Sequence, residues 1–238
     1  MKKPLEFWSN DRFKHNWIDH NHTIEQVNPP DGSRYYLVDN QHKFPSVTSV
    51  LGAKSNDFLD SWRANVGEEE ARKVSNRASS RGSLLHENAE NYLLNHRVQI
   101  DSRGLFNVQM FKSIIPLLDR IQNITLLEDP VFSKVFSVAG TVDCIAEFDG
   151  QLSIIDFKTS ARIKTTEDIE SYWIQTSVYS YAFEEMTGIK IPNLVVIMAV
   201  ENSKPLLFTN NRSAFTKQLV EFRSTAREIT SKRFLQQS

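Results

Sequence analysis

The sequence predicts an α/β protein in which helices flank a central sheet, and three observations predict it. Helical patterns of apolar residues over about 57–122 give way to three β-rich runs within 124–160, and a helix, a strand and a last helix follow. Asp149-Gly150, between the second and third runs, is a strong signal for a two-residue hairpin. The almost wholly apolar run NLVVIMAV at 193–200 is typical of a strand buried on both faces.

The helices are predicted from apolar residues at helical spacing. Residues 57–80 read as a helix that Gly82 interrupts, and the pattern resumes over 83–96. Helical character returns at about 105–122, where Pro116 should kink or restart the helix. Two further helices are predicted at 167–187 and 211–234.

The N-terminal residues differ in composition from the rest of the chain. Residues 1–56 are rich in turn formers and aromatics, and NPPDGSRYYLVDN (28–40) predicts a turn followed by a short strand. We therefore expect 1–56 to form an accessory lobe of helix and loop packed on the core, and 57–238 to form the core with its flanking helices.

Charge and cysteine content exclude several classes of protein. The formal net charge is -1, so affinity for nucleic acid would have to come from a local basic surface. Cys144 is the single cysteine, which excludes an internal disulfide and any four-cysteine zinc or iron-sulfur site within one chain. No secretory signal and no apolar run of membrane-spanning length occurs, so we expect a soluble protein in a reducing compartment.

Charged residues lie among the apolar residues of the predicted hairpin strands. Asp156 and Lys158 are two apart and project from one face, and the tight turn lets Asp143 approach Asp156 from the preceding strand. Two buried carboxylates repel each other, and Mg²⁺ or Mn²⁺ would compensate them. The alternative is a surface ion pair of Asp156 with Lys158, worth no more than about 1 kcal/mol. The apolar residues before Asp156 favour the metal site.

An ordered set of motifs resembles the PD-(D/E)XK nuclease superfamily, in its RecB-like exonuclease branch. The motifs are a helix with His86, Gly140-x-x-Asp143, Asp156-Phe157-Lys158 and Gln175-x-x-x-Tyr179. The stretch FPSVTSVLG at 44–52 also resembles the N-terminal signature of the mitochondrial genome maintenance exonucleases and their phage relatives. The resemblance implies a restriction-endonuclease-like core with a mixed central β-sheet.

The resemblance also implies roles for the matching residues. His86, Asp143, Asp156 and the carbonyl of Phe157 would hold the metal. Lys158 would be the catalytic lysine, which holds or deprotonates the attacking water or neutralises developing charge, and both aspartates take part in catalysis through the metal. Gln175 and Tyr179 would support the site or contact DNA, although their spacing alone is equally explained by packing.

Further candidates for contact with DNA come from basic, hydroxyl and aromatic side chains. Lys73, Arg77 and Arg81 form a stripe at i+4 spacing, which could instead be a solvated face in which Glu69 or Glu70 pairs with Lys73. Ser46 and Thr48 could donate hydroxyls to phosphates or cap the helix that follows. The remaining candidates are Arg162 and Lys164 for phosphates, and Trp62, Tyr172 and Trp173 for base stacking.

These observations predict a metal-dependent DNA exonuclease acting on single-stranded ends in replication, recombination or repair. The alternatives are a structure-specific or restriction-type endonuclease and a non-catalytic nucleic-acid-binding subunit built on a nuclease fold. The sequence lacks the Gly-x-x-x-x-Gly-Lys-Ser/Thr loop, so no ATP hydrolysis is expected, and any helicase activity would come from a helicase or replication partner. The expected location is the cytoplasm, with a bacterial or phage source rather than an organellar one.

Overall fold

The computed structural model of the chain describes residues 4–29, 34–53, 64–100 and 105–234. The predicted boundary at residue 56 and Trp62 lie outside the described residues. The helices are α1 (Val47–Ala53), α2 (Glu68–Leu93), α3 (Leu105–Leu118), α4 (Glu170–Thr187) and α5 (Thr216–Phe234). The strands are β1 (Leu5–Phe7), β2 (Ile24–Val27), β3 (Tyr35–Val38), β4 (His42–Pro45), β5 (Val98–Ile100), β6 (Ile121–Ser133), β7 (Val138–Phe148), β8 (Gln151–Ser160), β9 (Asn193–Val200) and β10 (Leu206–Asn211).

The central sheet has the strand order β10-β9-β8-β7-β6. Strands β8 and β9 are parallel and the other neighbours are antiparallel, so the predicted mixed sheet with flanking helices is confirmed. The hairpin between β7 and β8 turns at Asp149-Gly150, both of which have positive φ (51° and 78°), as this tight turn requires. The edge strand β10 was not predicted from the sequence.

Helices cover both faces of the central sheet. Helices α2 and α3 pack their apolar residues on one face, where Leu85 and Phe111 meet Ile155 and Phe157. Helices α1, α4 and α5 cover the other face, where Trp173 of α4 joins the core that contains Ile154. Strand β9 is buried on both faces, because its residues alternate between these two cores. None of the helices within the described residues is long and apolar enough to cross a lipid bilayer.

Neither predicted interruption, at Gly82 or at Pro116, divides its helix in two. Helix α2 runs without a break through Gly82, because nothing in the surrounding packing requires a turn there and a helix tolerates a glycine at about 1 kcal/mol. Helix α3 contains Pro116 and ends two residues later at Leu118, so the proline precedes the helix end and does not restart it.

The N-terminal residues form strands more than helix. Strands β2, β3 and β4 form a three-stranded antiparallel sheet, and α1 follows it. Strand β1 pairs with β5, which follows α2, and residues 14–18 run beside β6 with backbone hydrogen bonds to Ile124 and Thr125. Residues 5–7 and 14–18 therefore lie along elements of the predicted core, whereas the sheet of β2–β4 packs beside β6 and β7.

Gly140 of β7 lies in close contact with the ring of Tyr179 on α4. A Cβ atom at position 140 would lie 2.8 Å from the Tyr179 hydroxyl oxygen and 2.9 Å from its Cε1. Both separations are shorter than van der Waals contact, and the ring is buried at 3% exposure. Packing therefore requires glycine at position 140. Backbone conformation does not, because the φ of Gly140 is not in the left-handed region.

Replacing Gly140 with alanine should destabilise the fold by about 1–3 kcal/mol, because the ring of Tyr179 would have to move. The matched control is Gly82→Ala in α2, where the added Cβ meets nothing within 4 Å and should stabilise the helix by about 0.5–1 kcal/mol. Urea denaturation of both variants measures the difference, and an undiminished stability of Gly140→Ala would contradict the packing constraint.

Candidate active site

The site lies where β7 and β8 separate. Their ladder ends at the pair Cys144 and Ile155, one residue before Asp143 would oppose Asp156. Instead of continuing the ladder, the Asp143 carboxylate accepts a hydrogen bond of 2.7 Å from the backbone N–H of Phe157. Both aspartates are buried, at 6% and 1% exposure. The sequence therefore correctly predicted two carboxylates close together at this point of the hairpin.

Two side chains from other elements join Asp143. His86 of α2 lies with Nδ1 3.5 Å from Asp143 Oδ2 and 3.2 Å from Glu128 Oε1 of β6. One donor atom from each of His86, Glu128 and Asp143 falls within 4.8 Å of the other two. The structure therefore brings His86 to Asp143, as the motif order implied, and adds Glu128.

Glu128 was missed by the sequence reasoning. It lies within the run LLEDPVF, where two adjacent acids, Glu128 and Asp129, stand before a proline and match none of the quoted motifs. Its φ of 46° is unusual for a residue with a side chain and costs of order 1–3 kcal/mol. Strand β6 also carries a register shift between Gln122 and Leu126. Beyond that shift the register is continuous, and the pairs Leu127–Cys144 and Asp129–Val142 place Glu128 level with Asp143 on the neighbouring strand.

The electrostatics of the cluster suit a divalent cation. Burial lowers the pKa of His86, but the charge of Asp143 and the hydrogen bond with Glu128 outweigh it and raise that pKa to about 9. Burial also raises the pKa of Asp143, against the opposing charges of His86 and Lys158. The protonated His86 thus supplies the positive charge that lies between the carboxylates of Glu128 and Asp143. Carboxylate oxygens and an imidazole nitrogen are ligands that Mn²⁺ accepts, and Mg²⁺ accepts the oxygens.

Asp156 and Lys158 form a second, adjoining pair. Lys158 Nζ donates a hydrogen bond of 2.5 Å to Asp156 Oδ1, and it lies 2.5 Å from Oδ2 at an angle that makes no hydrogen bond. Burial raises the pKa of Asp156 to about 6, against the charge of Lys158. Burial lowers the pKa of Lys158, but the charges of Asp156 and Asp143 outweigh it, and the net shift is upward. Lys158 therefore carries its proton at neutral pH.

The helix α4 supplies the surroundings of this pair. The ring of Tyr172 lies 5.1 Å from Lys158 Nζ, measured to the ring centroid, so the ammonium rests near an aromatic ring. Gln175 Nε2 donates a 3.3 Å hydrogen bond to the hydroxyl of Tyr179, and both side chains are buried. Tyr179 lies against Gly140, three residues before Asp143. Gln175 and Tyr179 therefore support the strand that carries Asp143.

A groove of about 710 Å³ lies beside α2. It is lined by Arg77, Ser80, Arg81, Ser83, Leu84, Glu87, Asn107 and Glu201. Arg81 forms an ion pair with Glu201 at the end of β9. A small adjoining cavity reaches from Arg81 to Thr159, the residue after Lys158. The groove thus leads towards the end of β8 that carries the charged pair.

Other predicted contact residues are placed differently by the structure. The Ser46 hydroxyl accepts a hydrogen bond from the Ser49 backbone N–H at 3.0 Å, so Ser46 caps α1, and the exposed Thr48 lies 3.2 Å from it. Arg162 lies on the surface, 3.5 Å from Asp168. Lys73 pairs with Glu69 at 2.8 Å, as the solvated-face alternative holds. The proposed stacking role of Trp173 is wrong, because the side chain is buried against Phe215.

Comparisons with known proteins agree with this geometry. The family model of the PD-(D/E)XK nuclease superfamily matches residues 119–236, and the superfamily predicted from the motifs is confirmed. The human protein named mitochondrial genome maintenance exonuclease 1 is 28% identical over 129 residues, which are 50% of this chain and 38% of that protein. The mouse protein of the same name is 26% identical over 132 residues, which are 52% of this chain and 39% of that protein.

The chain thus spans less than two fifths of the curated relatives it matches. Both relatives are vertebrate proteins with a mitochondrial name, so the expectation of a bacterial or phage source gains no support from them. A solved structure from Eubacterium rectale, provisionally named an exonuclease, is 11% identical with a TM-score of 0.41 and covers 80% of this chain and 66% of that one.

Mn²⁺ should stabilise the protein, because the ion would replace the proton of His86 between Glu128 and Asp143. At one hundred times the dissociation constant the gain is about 2.7 kcal/mol, or about 5–10 °C in melting temperature for a chain of this size. Asp143→Asn should abolish the rise and Glu128→Gln should reduce it, as measured by thermal denaturation with and without Mn²⁺.

The matched control is Asp129→Asn, the neighbour of Glu128 on β6, whose carboxylate faces His20 at 3.9 Å. It should retain the full rise in melting temperature. A rise that survives in Glu128→Gln at every Mn²⁺ concentration would show that Glu128 is not a ligand.

Proposed function

Because the chain carries a PD-(D/E)XK nuclease superfamily domain at residues 119–236, we propose that it is a metal-dependent exonuclease that hydrolyses DNA from single-stranded ends. One observation carries the proposal: the cluster of His86, Glu128 and Asp143 adjoins the pair of Asp156 and Lys158 where β7 and β8 separate. The exonuclease names of the matched relatives support the choice of exonuclease. Their shared description as genome maintenance proteins supports a role in replication, recombination or repair.

The residues at the end of the β7–β8 ladder would hold Mg²⁺ or Mn²⁺. His86, Glu128 and Asp143 offer three donor atoms in one cluster. Asp156 would add a fourth through Oδ2, the oxygen that makes no hydrogen bond with acceptable geometry among the described residues. The Phe157 carbonyl, implied by the motif, remains a proposed ligand. When bound, the ion would polarise the scissile phosphate and lower the pKa of the attacking water.

Lys158 would stabilise negative charge. It would not act as a general base, because its amine is already protonated. Its side chain is 17% exposed, and its raised pKa keeps three protons on Nζ. Such an ammonium can donate a hydrogen bond to a phosphate oxygen or hold the attacking water by its oxygen. Asp156 and the ring of Tyr172 fix the position of Nζ, which limits the reorganisation needed during reaction.

The DNA backbone would follow the groove beside α2. Arg77 and Arg81 provide positive charge there, while Ser80, Ser83 and Asn107 provide hydroxyl and amide donors. Arg81 is paired with Glu201, so a phosphate would have to share or displace that carboxylate. Ser46, Thr48 and Arg162 are further proposed contacts. Glu87 also lines the groove, so the two arginines face two carboxylates there. The proposed partner is DNA.

Asp156→Asn should reduce cleavage of labelled single-stranded DNA by at least about 100-fold in Mn²⁺, since several kcal/mol of transition-state stabilisation is lost. Binding of the same strand, measured by fluorescence anisotropy, should persist. Asp149→Asn, at the turn of the same hairpin, is the matched control and should cleave like the wild-type protein. An Asp156→Asn variant that folds and keeps full activity would disprove the proposal.

A closed circular single strand distinguishes an exonuclease from an endonuclease. The protein should degrade a linear single strand and leave a circle of the same sequence intact, because the reaction begins at an end. Gel electrophoresis of both substrates with Mn²⁺ checks this. If the circle is cut, the protein is an endonuclease and the exonuclease hypothesis is wrong. If neither the linear strand nor the circle is cut, the result favours a non-catalytic nucleic-acid-binding subunit.

A further inference from the structure

We propose that Trp17, backed by His15, is a stacking platform for one unpaired base of the DNA strand whose backbone is cut at the metal cluster. The inference rests on the proposed function and adds a binding residue to it. Its ligand is a nucleobase in a single strand.

Trp17 presents one open aromatic face. Its side chain is 53% exposed, and its ring stacks on His15 with centroids 4.8 Å apart and planes at 17°. Since His15 covers one face, the other is available to a flat partner. Bases stack on such rings with little regard to sequence.

The segment that holds Trp17 is fixed on both sides. Before Trp17, His15 forms a parallel bridge with Ile124 of β6, and its Nε2 lies 2.9 Å from the Leu93 carbonyl of α2. After Trp17, the Ile18 backbone N–H bonds to the Thr125 carbonyl and the Ile18 side chain packs into the core beneath α4. A platform held this way loses little conformational freedom when a base stacks on it.

The position of Trp17 points towards the metal cluster. The segment continues beside β6 until His20 lies 3.9 Å from Asp129, the residue after Glu128. Trp17 therefore lies about two or three residues of β6 before Glu128, a distance of roughly 7–10 Å along the strand. Along α2, the anchor at Leu93 lies two turns beyond His86. Both routes place the Trp17 segment roughly 10 Å from residues of the cluster, a separation that one or two nucleotides of a single strand can span.

The other described tryptophans lack this combination. Trp8 is 39% exposed, but the guanidinium of Arg97 lies 4.8 Å from its ring centroid and covers one face, beside the β1–β5 ribbon. Trp173 is buried. Trp8 therefore provides a control with similar exposure and chemistry that is not beside the cluster.

The test measures binding of a short single strand by anisotropy in the Asp156→Asn background, where the strand stays intact. Trp17→Ala should weaken binding about tenfold, the loss of 1.4 kcal/mol that stacking of one base gives. Trp17→Phe should recover most of it, and Trp8→Ala should bind normally. Thermal denaturation of each variant checks that the fold is retained.

Strands that carry one abasic nucleotide at successive positions separate stacking from a structural role. When Trp17 is present, the strand with the abasic nucleotide at one particular position should bind about tenfold more weakly than the others. In Trp17→Ala, all of these strands should bind with equal affinity. If the protein binds and cleaves DNA but Trp17→Ala binds like its parent, the platform is disproved while the proposed function stands. If the wild-type protein neither binds nor cleaves single strands, the proposed function itself fails.

Discussion

The hydrogen bond from the Phe157 backbone N–H to the Asp143 carboxylate is the interaction on which the site depends. It takes the place of the next step of the β7–β8 ladder and lets the two strands separate without leaving that N–H unpaired. Asp156 and Lys158 follow on β8 beyond this point, and β8 then pairs in parallel with β9. One side-chain-to-backbone bond thus opens the sheet and places two carboxylates at the opening.

Buried charges at the opening are balanced by partners from four elements. His86 comes from α2, Glu128 from β6, and Tyr172 from α4 lies beside Lys158, which itself pairs with Asp156 on β8. Each unpaired buried charge would cost several kcal/mol, so the elements must be correctly packed for the cluster to be tolerated. Gly140 contributes to this packing because only glycine admits the ring of Tyr179 beside β7. Packing and charge balance at the site therefore depend on each other.

The described N-terminal residues pair with strands of the central sheet. Residues 14–18 extend beside β6, and Ser46 forms a bridge with Ala139, the residue before Gly140. Ser46 caps α1 instead of facing solvent, so the stretch FPSVTSVLG serves first to hold α1 against the sheet. Pairing between strands that are distant in sequence leaves no periodic pattern along the chain. The N-terminal strands were therefore harder to predict than the central hairpin.

The sequence by itself determined the central strands and the hairpin at Asp149-Gly150, because alternation and turn chemistry are local properties. The order of the motifs along the chain likewise indicated the candidate site residues His86, Asp143, Asp156 and Lys158. Only the tertiary structure decided that Glu128 joins His86 and Asp143, and that Trp17 lies exposed beside the same strand. The first depends on the register of β6 against β7 and on the packing of α2, and the second on pairing between distant segments. Contacts of that kind arise from packing in three dimensions, and no spacing along the chain encodes them.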